Sequence, residues 1–312
     1  MNPGVAPGYG PLFEASMGGG PLVFAGGVID SVIAPGVLRL TTSHGLAVGQ
    51  GVSFGGEIRF VTSLVDDYTI GLNAAFSVAP SSGSSLGQTV SYSLSKELPS
   101  LSVYDFWSPV SAVQRIACGA MVDQMKVAVN GDVHEFEFSG PACDILDDSS
   151  FVSGAGGLAE FPEEPAVASG VSLPPVPGHL GQAWLGAQPE QFVTITKASI
   201  SLQNNVELRA REFGALTARC GVPGERLVTF DCSLFGRDDA ATKGLYQAAR
   251  QRSGIQVMLQ LGQQSGQLLG VYAKSVVPEV PRFDDRESRL QWSFSGCMAQ
   301  GNGEDELYIA FG

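Results

Sequence analysis

Alternation constrains this chain more than any other feature. At 198–203, ASISLQ, apolar and polar residues take turns; Asn204-Asn205 follows, and a second alternating run starts at Val206. A period of two suits a strand with one buried face and does not suit a helix of period 3.6. The pattern predicts a hairpin over 200–211 that turns at Asn204-Asn205. Asn130-Gly131, between the runs 122–129 and 133–138, is the strongest short hairpin signal in the chain. The two hairpins look alike, and FEFSGPAC at 136–143 echoes WSFSGCMA at 292–299. Duplication of a sheet unit explains these echoes, and so does turn chemistry acting twice.

Short strands are also expected at 37–40, 52–54, 58–61 and 68–72, with turns at Gly55-Gly56 and Asp66-Asp67. They form a small β module, 28–98. Its Ser81-Ser82-Gly83-Ser84-Ser85 stretch has the composition of a flexible linker. Residues 1–27, rich in Gly and Pro, read as an extended arm, disordered or docked on a neighbour. Deleting 2–20 is expected to leave a folded monomer that polymerises poorly. The remainder, 99–312, reads as a β domain interrupted by a long acidic loop, 145–182, that lacks periodicity. Within it four late strands are expected, IQVMLQL, LLGVYAKSVV, RLQWSFSGCMA and ELYIAFG. One helix stands out, DDAATKGLYQAARQRSG at 238–254. Asp238 and Asp239 suit its N-terminus, and Arg250 and Arg252 its C-terminus; Gly254 fits the C′ position, and Ala241, Leu245, Ala248 and Ala249 make a narrow apolar stripe. The 40 glycines and 18 prolines agree with many short turns. The fold class is therefore mainly β, with one flanking α-helix and a small N-terminal β module.

Charge bounds the function. Only 16% of residues are charged, which suits buried subunit contacts and equally a weakly charged β protein. The net charge is −13, and no Lys or Arg lies between Lys126 and Lys197. Such a surface disfavours tight non-specific binding of nucleic acid. No 18-residue apolar run could span a membrane, and the N-terminus lacks the pattern of a secretion signal. Five widely spaced cysteines without a CxxC read as buried free thiols.

Catalytic chemistry finds little support. His44, His134 and His179 have no metal-ligand spacing; His44 reads as structural and His134 as facing solvent from a strand. Ser153-Gly154-Ala155-Gly156-Gly157 is glycine-rich but contains neither GxSxG nor a P-loop. A carboxylate pair for glycoside cleavage stays open, since two acids can meet through any fold. No catalytic, metal or cofactor site is expected.

The order of motifs in the C-terminal part carries a resemblance. VTITKASISLQNNVELRAREFG is followed by CGVPGERLVTFDCSLF, the helix, IQVMLQLG, GQLLGVYAKSVVPEVPRFDDRESRLQWSFSGCMAQ and DELYIAF; IACGAMVDQMKVAVNGDVHEFEFSGPAC stands upstream. This series, over about 100–312, resembles the major tail tube proteins of long-tailed, siphophage-type bacteriophages. The resemblance rests on the hairpin at Asn204-Asn205, the strand entry Gly224-Glu225-Arg226-Leu227-Val228-Thr229, the single helix, and the strand ending in SFSG. These are patterns of strands more than unique residues. The resemblance implies a tail-tube-type β-sandwich whose helix includes Asp239, Leu245, Ala249 and Arg252. It implies homo-oligomeric rings stacked into a hollow tube through which DNA passes without specific binding; a hexamer is preferred to a pseudo-hexameric trimer, since residues 100–150 are too few for a second full tube domain. Its implied partners are further copies, a tape-measure protein, and tail terminator and distal tail proteins. Its implied location is the virion, after synthesis in the host bacterial cytoplasm. Residues 28–98 exceed a minimal tube domain and would be an inserted or decorating module. Asp147, Asp148, Glu163 and Glu164 are the acids expected to face the lumen or the inter-ring contact, with a solvated outer loop as the equal alternative. Another phage tail or baseplate adaptor, a surface adhesin, and a carbohydrate-active enzyme are the competing readings.

Overall fold

Turn signals and alternation build antiparallel sheets, and what decides the architecture is which faces those sheets cover. The computed structural model describes residues 2–106, 113–132, 135–164, 176–187, 190–192, 194–285 and 289–312. The chain is mainly β, with two α-helices among the described residues, α1 (Gly10–Met17) and α2 (Ala240–Gln251).

The largest sheet has 13 strands. Its main path runs Leu22–Phe24, Thr89–Ser93, Tyr308–Phe311, Leu269–Val277, Gln291–Ala299, Leu227–Phe235, Ile195–Gln203, Gln124–Val129 and Glu135–Ser139. One branch adds Ile255–Leu261, Gln182–Gly186 and Glu190–Gln191 beside Leu269–Val277, and Arg282–Asp284 pairs beside Gln291–Ala299. The sheet folds over at Leu269–Val277, where Val276 and Val277 pair with Ala299 and Met298 while Leu269 to Tyr272 pair with Phe311 to Tyr308. The halves on either side of this junction face one another as a sandwich. Met125, Val127, Ile200, Leu202, Val228 and Phe230 of one half share a core with Val90, Val257, Leu259, Val271 and Ile309 of the other.

Alternation survives where one face is covered. In Ile195–Gln203, Ala198, Ile200 and Leu202 are buried; in Leu227–Phe235 the buried set begins Val228, Phe230, Cys232. Tyr308–Phe311 reads as a continuous apolar run, and Ile255–Leu261 is buried at every position but Gln256, because both of their faces are covered. A six-stranded sheet supplies the second cover, running Gly51–Phe54, Glu57–Asp66, Thr69–Leu72, Val37–Leu40, Gly27–Ala34 and Ser85–Leu86. An isolated bridge from Ser53 to Gly87 closes it on itself around Ile29, Leu38, Val52, Val61 and Ile70. Its Ile58 and Phe60 pack on Trp184, Met258, Tyr272, Tyr308 and Ala310 of the large sheet. Fully buried Gln260 rivets the two, accepting from Ile58 N at 2.9 Å and donating to Gly56 O at 3.1 Å. The small module is thus one layer of a shared core. No helix among the described residues is long and apolar enough to cross a membrane.

Several expectations are corrected. Residues 1–27 are not an extended arm: α1 buries Phe13 and Met17 in the main core, and Leu22–Phe24 joins the large sheet. Phe13 meets the rings of Phe136, Phe138 and Phe311 at 5.5, 5.2 and 5.2 Å. Deleting 2–20 would therefore uncover core and not merely trim an arm. The division at 98/99 fails too, since Thr89–Ser93 pairs with Tyr308–Phe311. Ser81 to Ser85 is no linker; Gly83 N and Ile29 N bond across to Ile29 O and Ser84 O at 2.8 Å each. The hairpin over 200–211 is absent. Ile195–Gln203 pairs with Gln124–Val129 and Leu227–Phe235, while Glu207–Leu208 pairs with Gly221–Val222. Asn204 turns a corner instead, for reasons given below. The loop 145–182 begins inside the strand Asp144–Asp147, which pairs with Arg115–Ala120, and ends at the strand Gln182–Gly186. α2 is not the single helix, and it closes at Arg252 in the left-handed region (φ 51°), not at Gly254.

Candidate functional site

Each acid expected at a lumen has a definite place. Asp147 ends its strand with a carboxylate that accepts from Ser149 Oγ and Ser150 Oγ at 2.5 Å and Ser150 N at 2.8 Å. These bonds, that from Ser149 foremost, hold its carboxyl below the usual carboxylate range. Asp148 accepts from Gln114 N at 3.1 Å. Glu163 and Glu164 are exposed in irregular chain beyond the turn Ala155–Gly157. Among the described residues no salt bridge joins any of the four. His134 and residues 165–175 lie outside the described residues.

The helix residues act in packing. Asp239 caps α2, its carboxylate accepting from Thr242 N at 2.8 Å. Leu245 and Ala249 enter the main core, and Arg252 closes the C-terminus. Tyr246 sits by Phe283 and Trp292, whose centroids lie 6.3 and 5.7 Å away.

A cleft of about 330 Å³ opens where the branch leaves the large sheet, with Asn130, His179, Gln182, Phe192, Thr196 and Lys197 in its wall. Among the described residues its lining has no carboxylate to orient or relay a proton for His179, and the Thr196 hydroxyl already donates to Ser233 O at 3.1 Å. Among the described residues no cluster of three His, Cys, Asp or Glu side chains could hold a metal ion. All five cysteines are free; Cys232 and Cys297 are buried, and burial pushes the Cys297 thiol up to about 11.

Three devices were not foreseen from the pattern. Fully buried Asn204 donates from Nδ2 to Ser16 O at 2.9 Å and Val122 O at 3.0 Å, and its own backbone N–H goes to Asp123 O at 2.7 Å. It ties α1 to the strand corner, which explains why the chain leaves the strand there. Arg226 spans three segments, donating to Asn204 Oδ1 at 3.4 Å, to Gly303 O at 3.1 Å and to Ser95 O. Arg59 is wholly buried, 2.7 Å from Glu57 Oε2 and stacked 4.0 Å from the Trp184 ring centroid. Burial lowers its guanidinium to about 10, so it stays charged at neutral pH. Asn and Arg inside apolar alternation were the available signals, but such residues more often face solvent.

The main path of the large sheet ends in two open edges, and its branches end in the short strands Glu190–Gln191 and Arg282–Asp284. Among the described residues, Leu22–Phe24 pairs only with Thr89–Ser93, and Glu135–Ser139 only with Gln124–Val129. Leu22 and Val23 are exposed, as are Glu135 and Glu137, whereas Phe136 and Phe138 lean against the core.

No protein-family model matches the sequence, and no curated protein matches it. A search of solved structures finds a hybrid solid-state NMR and cryo-EM structure of the SPP1 tail tube. It is 13% identical with a TM-score of 0.34, and the match covers 42% of this chain and 80% of that one. A likeness at this level fixes neither family nor function.

Proposed function

We propose that the chain is a non-catalytic structural subunit that polymerises, and that the assembly is a phage tail tube. The observation that carries self-assembly is the pair of open edges on one large sheet. Unpaired N–H and C=O groups on an edge template another strand, and monomers usually blunt them. Leu22–Phe24 carries no charge to do so. Main-chain pairing between copies would close such edges and give a stiff wall. The order of motifs over 100–312 supports the tail tube as the kind of assembly. In this reading the rings are hexameric, the product lies in the virion, and DNA passes a lumen without specific contacts. Tape-measure, terminator and distal tail proteins are its further partners. Acids of the cation-free stretch face the lumen or the inter-ring contact. Neutralising Asp147, Asp148, Glu163 and Glu164 together then slows DNA ejection.

Negative-stain electron microscopy of the purified chain at high concentration tests the reading. Stacked rings or hollow tubes are the expected result, and their symmetry is read directly. Compact particles that stay single at every concentration, with or without a tail initiator complex, would overturn it.

A further inference from the structure

One loop does not belong to either core. Residues 209–219 project from the two-residue ladder Glu207–Leu208 with Gly221–Val222. At the tip Phe213 and Leu216 are fully exposed, the most exposed large apolar side chains among the described residues. Water gains nothing from two such side chains, so their position needs a reason outside the monomer. The loop is also shaped. Glu212 accepts from Arg209 at 2.5 Å and pairs with Arg219 at 3.0 Å. Arg209 N bonds Cys220 O at 2.9 Å, and Arg219 N bonds Arg209 O at 3.1 Å. Arg211 and Gly214 take the positive φ values, 63° and 81°, that turn the tip. Arg209, Arg211 and Arg219 outnumber Glu212, which makes this an apolar-tipped, basic prong on a chain of net charge −13.

We propose that the prong docks on the open edge Glu135–Ser139 of a second copy. That edge matches it in both respects. Glu135 and Glu137 are exposed; Lys126 on the paired strand lies 3.7 Å from Glu137, and the sequence has no other Lys or Arg until Lys197. Phe136 and Phe138 lean against the core on the opposite face of that strand, and the exposed ring of Tyr9, 6.1 Å from Phe136, offers aromatic surface beside it. The prong does not fill its own edge. It springs from the strand pair Ile195–Gln203 and Leu227–Phe235, with Gln124–Val129 between it and that edge. Prong and edge are different surfaces, so the contact is heterologous and repeats from copy to copy into a ring or filament. Three arginines alone would suit duplex DNA as well. The two uncovered apolar side chains favour a protein surface, because a phosphate backbone offers them nothing to bury against. This inference rests on the self-assembly reading and names the contact within it.

The experiment is sedimentation velocity across a concentration series, on the full chain and three variants: Phe213→Ser/Leu216→Ser, Arg211→Glu/Arg219→Glu and Glu135→Lys/Glu137→Lys. All changed side chains are on the surface, and thermal unfolding checks that the fold is kept. Each variant is expected to raise the half-assembly concentration at least about tenfold, one tenfold step corresponding to about 1.4 kcal/mol. Mixing the two charge-reversed variants restores assembly. A photo-crosslinking phenylalanine analogue at position 213 is expected to join the 124–139 region of another copy. Parent and tip variant assembling alike, or a crosslink made only elsewhere, would overturn the prong and leave self-assembly standing. A parent that never assembles overturns both. Duplex DNA binding that depends on Arg211 and Arg219, with assembly untouched by the tip variant, assigns the prong to DNA and overturns the docking.

Discussion

Replacing Arg59 by Met should be the most damaging single change in the shared core. The guanidinium has no exposure to water. It donates to Glu57 Oε2 at 2.7 Å, Ile58 O at 2.7 Å and Ala75 O at 3.0 Å, between the rings of Trp184 and Phe76 with centroids at 4.0 and 5.3 Å. Methionine keeps the apolar stem and removes every one of these donors. Glu57, with a side chain only 11% exposed, is left with Ser77 N at 2.8 Å as its remaining donor. Breaking a buried pair by removing one partner costs about 3–5 kcal/mol, mostly through the stranded charge. Glu57→Gln in the same chain removes that charge. The double variant should then lose only about 1–3 kcal/mol, from the stranded carbonyls of Ile58 and Ala75. Urea unfolding followed by tryptophan fluorescence measures both, since Trp184 reports on this contact. A single variant that loses under about 1 kcal/mol would refute the argument. So would a double variant as unstable as the single one, because the cost would then not lie in the charge.

Four further outcomes are expected. Phe13→Ala should lower stability by about 3–5 kcal/mol in urea unfolding, as a filled aromatic site in the main core empties; a change within about 0.5 kcal/mol would return α1 to the status of a passive tail. Asn204→Ala should cost about 2–4 kcal/mol by stranding Ser16 O and Val122 O, and Asn204→Asp should not rescue it, because a carboxylate cannot donate. Asp66, Asp147 and Asp239 are held below the usual carboxylate range by hydrogen bonds from Tyr68 N, Ser149 Oγ and Thr242 respectively. Their folded forms bind fewer protons than the unfolded chain, so their contribution is complete above about pH 4 and is lost as pH falls through the lowered values; replacing all three by Asn should flatten that acid limb in a pH series. Alkylation at pH 8 in the native state should spare Cys232 and Cys297, both buried with raised thiols, and reach them only after unfolding; mass spectrometry reads the difference.

Much of the β architecture was legible, because period-two alternation and turn dipeptides are local. The strand at 37–40 and the pair flanking Asn130-Gly131 follow from those signals, and those at 255–261 and 308–311 from short apolar runs. The failures are long-range. Asn204-Asn205 has the chemistry of a hairpin turn, but Asn204 meets Ser16 and Val122, partners no local window contains. α1 was hidden because Gly10 and Pro11 read as arm, although Pro in the first turn is favourable and Gly18 closes the helix in the left-handed region (φ 86°). The small module looked separate because Ile58 and Phe60 alternate like any half-buried strand, and nothing nearby shows what lies on their other side. The four acids were named from charge density, which says nothing of direction; their packing leaves them at the end of one strand and in an irregular segment. The prong carried a visible signal, Phe213 and Leu216 among arginines, but it lies just past the expected hairpin at 200–211, whose alternation claimed the residues at the prong's base.

The pairing of Tyr308–Phe311 has a consequence in time. This strand lies between Leu269–Val277 and Thr89–Ser93, two segments separated by most of the chain. Until it arrives, the N-terminal strands and the rest of the large sheet have no backbone connection along that seam. A ribosome delivers it long after Thr89–Ser93, and contacts of such sequence separation form slowly. The open edge at Glu135–Ser139 is made long before the seam is closed. A nascent subunit therefore exposes a joinable strand before it has its own full shape, so a cell making many copies at once must keep young chains apart or risk joining unfinished ones.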